Sequence, residues 1–279
     1  MTTTTTTELR RLSLGPVDIA VRERPGSGRT LLFVHGSWDD HHTWDATADA
    51  LTGGHHLVSY DRRGHSASTD VEGQGTMSDD VADAAALIEA VAGGPVDVVG
   101  HSYGACIAIG LAIAHPSLVS SLFLHEPPLF GLLADDEVDR SLADEARRSM
   151  AEVVGLIGAG AIEAATRLFF EEVAFGAGSW LGLFDRSARS VAMANVDTWL
   201  DQSRDPQRLG LDVRPLVDLD GRITLSQGST TLPTFAAVCV RVAELVPSAS
   251  RVMIDGAGHG APTSHPTELA AAIGRHLEA

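Results

Sequence analysis

The chain has 279 residues, 44% hydrophobic and 20% charged, which suits one large α/β domain or a core domain carrying an insertion. Its formal charge of −17 argues against nucleic-acid and membrane-surface partners, because such a surface repels phosphate backbones and anionic lipid. Two cysteines, Cys106 and Cys239, make no disulfide framework in a chain this size and fit a reducing, cytoplasmic compartment. The threonine run at residues 1–8 has no apolar segment and reads as a frayed tail, not a signal peptide.

In chain order, residues 12–14 and 17–21 predict a hairpin around Gly15-Pro16, and residues 30–34 and 56–60 predict buried strands. Residues 77–92 predict a helix, with Asp79 and Asp80 in its first turn where carboxylates suit the helix dipole. Strand 96–99, helix 105–114 and strand 119–124 follow. This alternation predicts an α/β fold, a mostly parallel central sheet flanked by helices. From 129 to 212 the pattern is helical without a strand: 136–156, 161–173 and 186–202, with a short element at 180–184. Strands return at 222–226 and 251–254, each followed by a helix, at 235–246 and 266–277. The predicted organisation is a core of residues 9–128 and 213–279, with a helical cap insertion at 129–212.

Gly100-His101-Ser102-Tyr103-Gly104 matches G-x-S-x-G, after a predicted strand and before a predicted helix. A serine in such a strained turn needs neighbours without a Cβ, so that strand and helix can approach. The turn holds the hydroxyl clear, and the helix N-terminus favours developing negative charge. Ser102 is therefore the candidate nucleophile. It needs a base, and His259, in the glycine-rich loop Gly256-Ala257-Gly258-His259-Gly260 after the last strand, is the candidate. The other histidines, His41 and His42 near the expected pocket included, show no metal-ligand spacing, so neither a metal nor another cofactor is expected.

His35-Gly36, Tyr60-Asp61-Arg62-Arg63-Gly64-His65-Ser66, the Ser102 pentapeptide and Gly256-Ala257-Gly258-His259 together resemble the α/β-hydrolase superfamily, over nearly the whole chain outside the insertion. The resemblance implies a serine–histidine–acid triad, with the acid usually three residues beyond a glycine after the strand that follows the insertion. Here that place, in Gln227-Gly228-Ser229-Thr230-Thr231, holds Thr231, which carries no charge. A second location in the superfamily lies at the end of the strand after the nucleophile helix, where Leu124-His125-Glu126-Pro127-Pro128 offers Glu126. Haloalkane dehalogenases and zearalenone lactonases resemble this arrangement. Glu126 is the expected acid, with Asp218 or Asp220 as the alternatives. The oxyanion hole is expected from the backbone N–H groups of Tyr103 and, by similarity to the superfamily's H-G-x, of Ser37, with Trp38 as the next-best donor. The charged turn Asp61-Arg62-Arg63-Gly64 reads as a brace between loops.

Gly36, Trp38, Trp180 and Trp199 are the expected pocket residues, the last two from an insertion that also holds Phe169, Phe170, Phe175 and Phe184. Beyond the pair Arg147-Arg148 the insertion has no basic cluster, so a neutral, moderately apolar small molecule is the expected partner. The similar haloalkane and epoxide hydrolases use an aspartate nucleophile, which Ser102 is not. Hydrolysis of a carboxylic ester or lactone through an acyl-enzyme therefore leads, a macrocyclic lactone such as zearalenone included. Carbon–carbon bond hydrolysis, cofactor-free perhydrolase activity and a catalytically silent small-molecule receptor are the alternatives. The sequence leaves the oligomeric state open, a homodimer included.

Overall fold

Apolar runs bounded by turn residues form eight strands in the computed structural model, which describes residues 8–68, 73–208, 210–219 and 221–278. They are β1 Arg10–Ser13, β2 Asp18–Arg24, β3 Thr30–Val34, β4 His56–Tyr60, β5 Val96–His101, β6 Val119–His125, β7 Arg222–Gly228 and β8 Ser250–Ile254. One sheet joins them in the order β1-β2-β4-β3-β5-β6-β7-β8. The β1–β2 and β2–β4 pairs are antiparallel; every other pair is parallel. The central strand β5 is buried along its whole length, as expected of a parallel strand covered by helices on both faces.

The helices are α1 Asp45–Ala50, α2 Met77–Val91, α3 Tyr103–Ala114, α4 Glu137–Gly158, α5 Ile162–Leu168, α6 Ser179–Gly182, α7 Arg186–Ala194, α8 Val196–Arg204, α9 Pro233–Leu245, α10 Ala261–Ser264 and α11 Pro266–Glu278. Alternate strand residues feed two cores. Leu32, Val34 and Val98 pack with Leu87, Ile107 and Leu111 of α2 and α3. Leu31, Phe33 and Val99 pack with Trp44, Leu269 and Ile273 on the other face. A capping box between Thr76 and Asp79 starts α2. Helix α3 is apolar nearly all round because both the sheet and neighbouring helices cover it. Both cysteines are free and buried, and burial pushes each thiol up to about 12, so they behave as apolar filler. Among the described residues no helix is long and apolar enough to cross a membrane.

Three elements differ from the pattern reading. The six-residue α1 went unpredicted, being too short for a helical period to show. The predicted helix 161–173 changes to a π-helical turn over Phe169–Ala174, which keeps Phe169, Phe170 and Val173 all buried. The predicted helix 186–202 breaks at Asn195. There the side chain serves the loops below, accepting from Ser66 N (2.9 Å) and donating to Asp39 O (3.0 Å). Tertiary hydrogen bonds outweigh local periodicity at that point.

All of α4 to α8 falls between β6 and β7. Helix α8 anchors this insertion. Asp201 Oδ2 accepts from Gln74 N (2.8 Å) and Gly75 N (3.0 Å), and Asp205 just beyond accepts from Met77 N (2.6 Å). The insertion is thereby fixed over the edge of the sheet where parallel strands end and ligands bind.

Candidate active site

Ser102 sits between β5 and α3 with φ 54°, a left-handed conformation that costs a non-glycine residue about 1–3 kcal/mol. The turn is pinned on both sides: Ser102 N donates to His125 O (2.9 Å), and Ala105 N donates to Ser102 O (2.9 Å). Both flanking glycines are sterically required. A Cβ on Gly100 would lie 2.6 Å from Ala105 Cα, and one on Gly104 would lie 2.2 Å from Val34 O. The serine makes no side-chain cap bond to its own helix, and at the helix N-terminus it lines a cavity.

Glu126, with φ 49°, follows β6 and is fully buried. Its Oε2 lies 2.8 Å from His259 Nδ1. Gly228 N donates to Oε1 (2.7 Å) and Thr231 Oγ1 donates to Oε2 (2.7 Å). The structure thus brings Glu126, not Asp218, to His259; Asp218 is exposed, and Asp220 lies outside the described residues. Thr231, at the usual acid place, makes no bond to His259 itself, but its hydroxyl helps orient the carboxylate that does. Phe235, at the start of α9, stacks on the imidazole with centroids 4.0 Å apart and planes at 20°. Sequence reasoning missed it, and helical periodicity at 235–246 signals only a buried position. Burial holds His259 well below its ordinary pKa, so the ring is neutral and can accept a proton at Nε2. Ser102 and His259 line one cavity, without a hydrogen bond between them among those of the described residues; such contacts often tighten when substrate binds.

Gly36 lies against the serine: a Cβ there would come within 3.1 Å of Ser102 Cβ, so any larger residue would push the 35–38 loop and the serine apart by a few tenths of an ångström. The loop is held from below. Arg62, fully buried, donates from Nη2 to Gly36 O (2.9 Å), and its Nη1 reaches Asp80 (3.2 Å). His35 Nε2 accepts from Arg62 N (3.1 Å). Asp61 accepts from His41 N (2.9 Å) and Ala67 N (3.0 Å). The charged turn after β4 joins the loops in this way.

The cavity encloses about 410 Å³. Ser37, Trp38, Phe170, Phe175 and Val191 are among its walls, with Asp39, Asp40 and Asp185 at the polar part. Three of the four expected pocket residues are elsewhere. Trp199 lies beneath Trp38, stacked at 5.3 Å and 30°, with the Arg208 guanidinium 5.1 Å over its ring. Trp180 packs edge-on to Phe170 at 5.3 Å. Gly36 also faces the serine rather than the cavity wall. Trp199 seats the insertion on the core, Trp180 packs within the insertion, and Trp38, with φ 68°, is the one turned to the cavity. Trp199→Ala is accordingly expected to cost about 3–5 kcal/mol of stability. KM should change equally for small and bulky substrates; a selective rise for bulky ones would return Trp199 to the pocket.

Asp40, His41 and His42 bring one potential metal ligand each within 4.8 Å of one another, a grouping their spacing did not suggest. Carboxylates already engage both rings: His41 Nδ1 lies 2.6 Å from Asp61, and His42 Nδ1 lies 2.9 Å from Asp45.

Burial lowers six histidines, His35, His65, His101, His125, His259 and His276. An unfolded chain would protonate them as pH falls through about 6.5. Burial raises Asp39 and Asp80 to about 7, which works the other way as pH falls towards 4. At His41 the bond and charge of Asp61 more than reverse the lowering by burial, which adds to that opposite side. The histidines outnumber these groups, so the unfolded state binds more protons and stability falls with pH below about 6.5. The melting temperature should drop steadily from pH 7 to pH 5; an unchanged or rising value there would contradict the buried neutral histidines.

The order of strands, the strained serine turn and the helical insertion after β6 define an α/β-hydrolase fold. The model of the alpha/beta hydrolase family matches residues 31–272, and the chain belongs to that family. An uncharacterized hydrolase of Bacillus subtilis is 36% identical over 140 residues, 47% of this chain and 51% of that protein. The 2-(acetamidomethylene)succinate hydrolase of Mesorhizobium japonicum is 34% identical over 113 residues, 40% of each chain. The matches thus span about half, or less, of the length of these relatives. A crystal structure of a putative non-heme bromoperoxidase from Mycobacterium tuberculosis superposes with a TM-score of 0.68 at 23% identity, covering 94% of this chain and 96% of that one, and shares the fold.

Proposed function

We propose that this protein hydrolyses a carboxylic ester or lactone of a neutral small molecule through an acyl-enzyme on Ser102. One observation carries the reading: a serine in a strained turn opens onto the same cavity as a histidine whose Nδ1 is bonded to a buried glutamate. His259 Nε2 takes the Ser102 proton as Oγ attacks the carbonyl carbon. Glu126 holds the Nδ1–H tautomer and stabilises the imidazolium. The N–H groups of Ser37 and Tyr103 receive the oxyanion. His259 then returns the proton to the departing alcohol oxygen, and water repeats the sequence to release the acid. The insertion acts as a cap that closes the cavity from water.

Wall chemistry narrows the substrate. No lysine or arginine is among the described cavity residues, whereas Asp40 and Asp185 are, and Asp39 adds part of a charge because burial raises it to about 7. An anionic acyl chain would meet like charge there, so a substituted succinate, the substrate class in the name of the Mesorhizobium relative, is not the one we propose. A screen of p-nitrophenyl esters and of lactones of graded ring size tests this. Turnover of neutral compounds and none of succinyl esters is expected; the reverse preference, or tight binding without turnover, would defeat the proposal. The chemistry needs no metal, so EDTA should leave the rate within about twofold, whereas loss restored by a divalent ion would implicate the Asp40–His41–His42 group.

A further inference from the structure

The two residues that offer oxyanion donors are also joined through their side chains. Ser37 Oγ donates to Gln202 Oε1 (2.5 Å), and Gln202 Nε2 donates to Gln74 Oε1 (2.6 Å). Gln74 Nε2 in turn donates to Tyr103 Oη (3.2 Å). Arg62 Nη1 donates to the same Gln74 Oε1 (2.7 Å), which determines the carbonyl end of that amide. With that end set, Gln202 must turn its NH₂ to Gln74 and its carbonyl to Ser37. Gln74 and Gln202 are both fully buried.

Docking of the insertion does not require this chain. Asp201 and Asp205 already tie α8 to the start of α2, and Trp199 already stacks on Trp38. Two buried amides are costly unless every polar atom is paired, and when paired they rigidify what they connect. Here they connect the 35–38 loop to the first turn of α3. Those are the two backbone segments whose separation sets the width of an oxyanion pocket.

We propose that Gln202 and Gln74 are positioning residues that hold the N–H groups of Ser37 and Tyr103 at the spacing an oxyanion requires, which makes α8 of the insertion part of the catalytic framework. The proposal rests on the hydrolase reading above. Preorganised donors stabilise a transition state only while they stay aligned, and a misplacement of about 1 Å can cost on the order of 10²-fold in rate.

Gln202→Met keeps the length and approximate volume of the side chain but removes both hydrogen bonds. It is expected to lower kcat on p-nitrophenyl acetate on the order of 10- to 100-fold while KM stays within about twofold. Labelling of Ser102 by a fluorophosphonate and the affinity for a trifluoromethyl ketone, which forms a tetrahedral oxyanion on the serine, should fall in proportion. Looser packing alone would lower the melting temperature without that proportionality. Ser37→Ala cuts the same chain at its other end with little risk to the core, so it decides the matter if Gln202→Met misfolds. Its effect should be similar, and the double variant should lose little more than either single one. Single variants that keep kcat and ketone affinity within about twofold, or single effects that multiply in the double variant, overturn the proposal alone. A wild-type protein that neither labels nor turns over ester overturns the hydrolase reading, and the positioning role with it.

Discussion

Glu126→Gln is expected to lower kcat on the order of 10³- to 10⁴-fold, with KM little changed, because a triad that loses its acid loses control of the histidine tautomer. The geometry makes this site unusually intolerant of an amide. Glu126 accepts from Gly228 N, from Thr231 Oγ1 and at His259 Nδ1, so all three partners are donors. A carboxamide must set its own NH₂ against at least one of them. Turning that group towards Gly228 leaves a buried N–H opposing a buried N–H; turning it towards His259 forces the ring into the tautomer that cannot accept from Ser102. Steady-state kinetics with a circular dichroism check of folding measures the effect. A Glu126→Gln variant within about tenfold of wild type would remove Glu126 from the triad and reopen the region around residues 218–220.

Ser102→Ala is expected to abolish ester turnover, by about 10⁴-fold or more, and to eliminate fluorophosphonate labelling. Its fold should persist, since Ala fits the same space. A paired variant separates chemistry from strain. Ser102→Gly should be equally inactive but more stable than Ser102→Ala by about 1 kcal/mol, because glycine takes φ 54° at little steric cost. Wild-type rates in Ser102→Ala would end the acyl-enzyme mechanism. Equal melting temperatures for the Ala and Gly variants would show that the turn stores no strain.

Much of the architecture was legible in the sequence because it is written in local signals. Apolar runs of strand length alternating with helical periods announced the parallel sheet, and the loss of strand character after Pro128 announced the run of helices between β6 and β7. Gly100 and Gly104 around Ser102 marked a turn in which strand and helix come too close for a Cβ. The absence of a carboxylate at Thr231 directed attention to Glu126, a deduction from residue chemistry and family pattern alone.

Other features are set by residues far apart in the chain, and no window of sequence contains them. Thr231 bonds Glu126 across 105 positions, and Gln202 meets Ser37 across 165. Phe235 reads as one more buried helical apolar residue until β7 and β8 bring its ring onto His259. Trp180 and Trp199 show why composition misleads about pockets. A large apolar side chain gains as much by packing against other elements as by lining a cavity, and only the folded positions of α6 and α8 decide between them. Helical period likewise could not foresee the break at Asn195, because its cause is a pair of hydrogen bonds to the Ser66 and Asp39 loops. The sequence determined which groups are available and which backbone turns they must occupy. Tertiary structure decided which of them meet, since hydrogen bonds and ring contacts act over a few ångströms in space and carry no signature along the chain.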